Sequence, residues 1–264
     1  MMEALVILTK AVCCGGVVWA LVRSVDGAPP HVVARVIALP MTLAAGLLAV
    51  AGTQGEAFLI SATFGAAMSL PAMLAFIVTV ARLFYHLSAP ALIGAGLAAW
   101  CVTIAVATAT GPWDLQTSLC VGIAALALSH LAFPFRVAFT ARIGGMAARR
   151  AWPTGVQAGA MVLVLSTISG TVGPVASAWI ASLPMAMSFV TLGMKRAASG
   201  NAAATYQSAR LGVPSLFAYL ASVVVLTPPL GGTAATLVAV LPATALSSLI
   251  VAARQFLTPK EIAL

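Results

Sequence analysis

Apolar runs parted by short polar breaks dominate the chain, and the length of the runs is its first signal. Nine such runs can be placed, at 4–22, 33–51, 57–81, 90–109, 116–135, 154–172, 174–194, 212–228 and 234–253. A helix needs about 20 apolar residues to cross the hydrocarbon of a bilayer, so each run predicts a membrane-spanning helix. The breaks "AGTQGE", "TATGPWD" and "TPPLGGT" are short and rich in turn formers. They leave room for little more than a tight antiparallel reversal.

Composition turns this pattern into a class. Of 264 residues, 62% are hydrophobic and only 7% charged, where a soluble domain carries about 25% charged residues. No soluble core of this size could hide so much apolar surface, so the solvent must be lipid. The expected fold class is an all-α polytopic membrane protein with nine transmembrane helices.

A net charge of +8 resembles a nucleic-acid signal only until the charges are located. Apart from Lys10 and Arg35, they lie between the runs or just past their ends, which excludes a nucleic-acid face and points to membrane orientation. Arg23 and Arg35 follow the first run, Arg82 the third, and Arg136, Arg142, Arg149 and Arg150 the fifth. Lys195, Arg196 and Arg210 follow the seventh, and Arg254 and Lys260 the ninth. The turns after even-numbered runs hold no Lys or Arg, though they hold Glu56 and Asp114. Thus 12 of the 13 basic residues fall on one side, and that side is expected to be cytoplasmic. This orientation puts the N-terminus outside and the C-terminus inside. A miscounted pair of spans would scatter the charges over both sides. The first run opens with Glu3 instead of a basic segment, and no small-x-small site closes it before Arg23. It is therefore expected to be a retained helix, not a cleaved leader.

The chain also repeats itself. "SLPAMLAFI" at 69–77 returns as "SLPMAMSFV" at 182–190, a displacement of 113 residues. The same displacement pairs Ala38 with Ala151, Pro40 with Pro153, Ala45 with Ala158, Gly46 with Gly159 and Arg23 with Arg136. Later, "ALSHLAFPFR" (127–136) matches "ALSSLIVAAR" (245–254) at 118. A period of four spans is even, so both copies enter the membrane in the same direction. The expected organisation is a four-helix repeat over 1–112, a second over 113–232, and a ninth helix with a tail over 233–264.

The segment "ILTKAVCCGGVVWALVRSV…HVVARVIALPMTLAAGLLAV…GEAFLISATFGAAMSLPAMLAFIVTVARLF" resembles the GlpM-like family of small four-span bacterial inner-membrane proteins. The likeness lies in a Lys-Ala pair in the first span, a proline early in the second, and a Ser-x-Pro motif followed by aromatics in the third. It covers about residues 5–109, and more loosely 116–230, where Ile123 stands in the place of Lys10. The resemblance implies a bacterial inner-membrane location. It also implies an association with glycerol-phosphate gene neighbourhoods and exopolysaccharide production, with no mechanism attached.

Little in the chain suggests bond-making chemistry. All five acidic residues lie near ends or in turns, so a carboxylate proton relay has no evident acid. There is no nucleophile motif, phosphate loop or metal-spaced His/Cys cluster, so neither enzyme activity nor a cofactor or metal is expected. Cys13, Cys14, Cys101 and Cys120 fall in apolar runs and read as small apolar fillers.

The candidates are binding residues, each with a plainer alternative. Lys10, seven residues into the first run, either snorkels to the outer interface or meets an anionic substrate group. His130 either titrates during transport or bonds a neighbouring carbonyl. Pro71 and Pro184 each free a backbone carbonyl, and Ser69 and Ser182 stand two residues before them. Matching breaks in two repeats point either to a binding site at the repeat interface or to packing kinks. Gln157, with Ser166, Thr167 and Ser169, makes the sixth run the most polar, as cavity lining or as interhelix glue. The leading expectation is a carrier for a small metabolite or an anionic or lipid-linked species. The rival is a non-transporting scaffold for an envelope polysaccharide or lipid system. Expected partners are the lipid bilayer, such a substrate, and a second copy or a membrane-complex subunit.

Overall fold

A computed structural model describes residues 7–9, 11–16, 19–20, 41–111, 113–132, 151–184, 187–188, 191–192, 195, 206, 209–210 and 212–257. Among these the regular structure is helix throughout, with no strand. The helices are α1 (Met41–Gln54), α2 (Glu56–Met68), α3 (Leu70–Leu83), α4 (Ala89–Ala109), α5 (Leu115–Ala132), α6 (Ala151–Val172), α7 (Pro174–Ser182), α8 (Val213–Leu230), α9 (Gly232–Val238) and α10 (Val240–Leu257). An apolar N-terminal helix, Ile7–Gly16, precedes them.

Among the described residues, five stretches are long and apolar enough to cross a membrane: Glu56–Leu83, Ala89–Ala109, Gly155–Val172, Val213–Leu230 and Gly232–Ile250. Ile7–Gly16, Thr42–Gln54 and Leu115–Leu131 are apolar but shorter. Of the runs read from sequence, 4–6, 10, 17–18, 21–22, 33–40, 133–135, 185–186, 189–190 and 193–194 lie outside the described residues. The run at 234–253 is interrupted at Ala239. Pro242, three residues on, has no N–H to donate to Val238, and it sits in the first turn of the helix that restarts at Val240.

The exposed faces are as apolar as the buried ones. On α4 the buried residues are Leu92, Gly96, Trp100, Ile104 and Ala107, a single stripe about one turn apart. Val102 and Val106 on its far side are exposed, as are Ile123, Leu131, Val225, Leu241 and Leu249 on other helices. Water would penalise each of these side chains, and acyl chains would not.

The reversals are tighter than the sequence suggests. α1 runs through "AGTQ" to Gln54, and α8 runs through Pro228 and Pro229 to Leu230. Single glycines with positive φ make the turns: Gly55, Gly111, Gly173 and Gly231. Gly55 (φ 84, ψ 176) and Gly173 (φ 81, ψ 171) occupy a region closed to residues with a Cβ. Asp114, just after Gly111, accepts the Thr117 N–H at 2.7 Å and so caps the start of α5. That bond holds its carboxyl below the usual carboxylate range.

Helices meet where side chains vanish, as expected when apolar burial gives no drive for association in lipid. α2 is the central element: its most apolar window, continued into α3, is 72% buried, against 28% for α4. A Cβ on Gly65 of α2 would stand 2.9 Å from Val175 Cα and 3.2 Å from Ala178 Cβ, so α2 and α7 touch backbone to backbone. Gly46 of α1 seats against Leu165 of α6 and Ala181 of α7 in the same way, and Gly170 lies beside Gln54. Residue numbers rise together along that contact, so α1 and α6 run in the same direction. The N-terminal helix meets α6 in the opposite sense, Ala11 against Gly159 and Gly15 against Gly155. α3 and α4 form a hairpin in which the Phe76 ring covers Gly96. α5 packs on α2 and α3, and the Phe217 ring of α8 covers its Gly122.

Candidate functional site

The two Ser-Leu-Pro segments flank the α2–α7 seam, but their backbones differ. Ser69 keeps helical dihedrals (φ −82, ψ −8), Leu70 already belongs to α3, and Pro71 takes the first turn of that helix. The interruption is a kink. Leu183, in contrast, is extended (φ −51, ψ 131), and α7 stops at Ser182. The residue before a proline disfavours the helical region, so this is a true break. Helical structure returns by Met187 and Ser188.

The shared phrase keeps its spacing while the preceding turn does not. Fourteen positions separate Gly55 from Ser69, but nine separate Gly173 from Ser182. The turn glycines thus stand 118 residues apart, not 113, and the second copy reaches its proline more than a turn sooner.

Both serines spend their hydroxyls locally. Ser69 Oγ donates to the Ala66 carbonyl at 2.7 Å and Ser182 Oγ to the Trp179 carbonyl at 3.0 Å. Both side chains are buried, as are Pro71 and Pro184. The carbonyl that Pro184 deprives of a partner, Ile180, takes the Leu183 N–H at 3.3 Å instead. Such back-bonding is general here: Thr63, Thr103, Thr191 and Thr227 each donate to the carbonyl four residues earlier. In lipid a hydroxyl without water turns to its own helix.

The remaining candidates lie elsewhere. Gln157 sits on α6 between Gly155 and Gly159, where the N-terminal helix crosses. Its amide nitrogen and oxygen find no hydrogen-bond partner among the described residues, and neither do Ser166 and Ser169 Oγ. Thr167 points outward and donates to the Leu163 and Val164 carbonyls. His130, near the end of α5, places Nδ1 2.8 Å from the Leu126 carbonyl. Lys10 lies outside the described residues. The candidates thus occupy separate places: the α2–α7 seam, the α6 crossing and the end of α5. Between the N-terminal helix and α6 a cavity of about 550 Å³ is lined by Leu8, Val12, Trp19, Val156, Ala160 and Leu163 among others, and it is apolar. Among the described residues no group of three or more His, Cys, Asp and Glu side chains could hold a metal ion.

A polar cluster that sequence reasoning missed stands at the far end of the bundle from Glu56 and Asp114. Arg210 is 1% exposed and Tyr206, one turn before it, 0%. Arg210 Nη1 donates to the Ser129 carbonyl in the last turn of α5, where a cation suits the helix C-terminus. The Tyr206 hydroxyl bonds Thr191 Oγ1, and the Tyr206 ring lies 6.2 Å from that of Phe84. Lys195 Nζ sits 4.7 Å over the same Phe84 ring. In the sequence Arg210 is one more topology marker. Its only separate signal is the four-residue spacing from Tyr206, which puts both on one helical face.

Comparison with protein-family models, with curated proteins and with solved structures found no match to this chain, and the GlpM-like resemblance rests on its quoted residues alone.

Proposed function

We propose that this protein is an integral inner-membrane carrier of a small metabolite or of an anionic or lipid-linked substrate. In this reading two parallel four-helix repeats and a ninth helix span the membrane, with the N-terminus outside and the C-terminus cytoplasmic. The observation that carries it is the pair of proline interruptions at the ends of the two helices that form one central seam, a kink at Pro71 and a break at Pro184. Discontinuous helices at corresponding places in two halves are a device of carriers, because half-helix ends supply backbone groups at membrane depth. The pairing of counterparts supports it too: α1 packs on α6 and α2 on α7, and these are the spans that the 113-residue displacement relates. α1 and α6 run the same way, as an even period requires. The positive-φ glycines of the described residues occupy the reversals that lack basic residues. A role beside glycerol-phosphate or exopolysaccharide metabolism enters through the family resemblance.

One observation favours the scaffold reading. The seam is dry, with Ala62, Ala66, Ala67, Ala178 and Ala181 all between 0% and 1% exposed. Uptake or flipping in proteoliposomes separates the two. A carrier moves substrate as wild type and loses rate in Pro184→Ala, with Pro71→Ala and Lys10→Ala as companion variants. Transport that survives all three substitutions removes the site, and no transport of any candidate substrate moves the reading to the scaffold.

A further inference from the structure

We propose that Tyr206 and Arg210 form a latch that holds the helical residues after the Leu183–Pro184 break against the bundle, and that its release opens the break to water. The hinge is Leu183 itself, which is extended, and Pro184 has no N–H to give to Ile180. Beyond it the Ser188 N–H bonds the Pro184 carbonyl at 3.0 Å. The described helical residues beyond the proline, Met187, Ser188, Thr191, Leu192 and Lys195, are thus parted from α7 by one extended residue.

Side-chain chemistry restrains it. Thr191 Oγ1 gives its single proton to the Met187 carbonyl at 2.7 Å, so in the bond between the two hydroxyls Tyr206 is the donor. One turn on, Arg210 reaches the Ser129 carbonyl of α5. The face that carries Tyr206 and Arg210 thus ties the half-helix to α5. Lys195 over Phe84 adds a contact to the end of α3. In the first copy α3 is clamped along its length by α4 instead.

The latch rests on the carrier reading for its use, not for its geometry, so its test reads accessibility and not uptake. In a background with Cys13, Cys14, Cys101 and Cys120 replaced by alanine, a cysteine is placed at the buried Met187 and labelled with a water-soluble maleimide in proteoliposomes. Tyr206→Phe keeps the ring and deletes the donor. It is expected to speed labelling about fivefold, the population shift of one lost buried hydrogen bond. Thr191→Val deletes the same bond from the other side and gives the same rise, and the double variant adds nothing further. A control cysteine at Ala66 in α2 stays at its parent rate. Unchanged labelling at position 187 overturns the latch, and so does a rise at position 66 in step with it, because that reports general loosening.

Discussion

Ser69-Leu70-Pro71 and Ser182-Leu183-Pro184 set proline after the same two residues, yet the first bends a helix and the second ends one. Local preference is the same in both, since proline withholds a donor and disfavours helix before it. Packing differs. α2 and α3 are gripped on both sides of Ser69, α2 by α7 across Gly65, and α3 by α4 through Phe76 on Gly96. Holding the two halves in line keeps Leu70 helical. α7 has only nine residues, Pro174–Ser182, before the break, and beyond Pro184 Thr191 bonds the Tyr206 hydroxyl. Proline makes an interruption cheap, and the neighbours decide whether it becomes a bend or a gap.

The comparison breaks most completely if the seam is forced apart. Gly65→Val drives a branched side chain into the Val175 backbone and is expected to cost about 3 kcal/mol or more. Gly16→Val, where no atom lies within 4 Å of the new Cβ, should stay within about 0.5 kcal/mol. Reversible unfolding in mixed micelles reads both. Equal effects would mean that the α2–α7 contact does not hold the bundle together.

Next come the turns that set the length of each half-helix. Gly55→Ala and Gly173→Ala force a Cβ into backbone territory that costs about 1–3 kcal/mol. Neither position has a neighbouring atom within 4 Å, so the loss is conformational and should be alike in the two copies. A difference well beyond about 1 kcal/mol would show that one turn relaxes and the other does not.

How much of this was legible beforehand depends on the physical origin of each feature. Helix content and the lipid environment are set by composition and run length, which need no neighbour, and they could be read directly. Places of reversal were visible as Gly/Thr/Pro clusters, but α8 running through Pro228 and Pro229 was not. Those prolines occupy its last turn, beyond which the turn at Gly231 ends the helix. Serine beside proline read either as a binding site or as a packing kink, and the structure spends the hydroxyls of Ser69 and Ser182 on carbonyls of their own helices. Arg210 was hidden for another reason: its burial depends on Ser129, 81 positions away in sequence. No local pattern carries that information.

Because those hydroxyls bond within their own helices, Ser69→Ala and Ser182→Ala should each cost about 1 kcal/mol or less. The two should match despite the different backbones. A much larger loss at Ser182 would mean that its oxygen also serves the open break.

The smallest effect sharpens the contrast most, because its sign should differ. Pro71→Ala restores an N–H where the chain is already helical, offering the Ala67 carbonyl its missing i−4 donor. That gain offsets the greater freedom of the unfolded chain, about 0.4–1 kcal/mol, so stability should hold or rise slightly. Pro184→Ala follows an extended Leu183 whose own N–H already takes the Ile180 carbonyl, so the new donor has no aligned acceptor. Only the entropic loss remains, and the variant should be about 0.4–1 kcal/mol less stable. If helicity by circular dichroism rises in Pro184→Ala and stability rises with it, the break is a property of proline alone. If it rises only when Tyr206→Phe is added, the gap is held open by packing, as the contrast between the two segments requires.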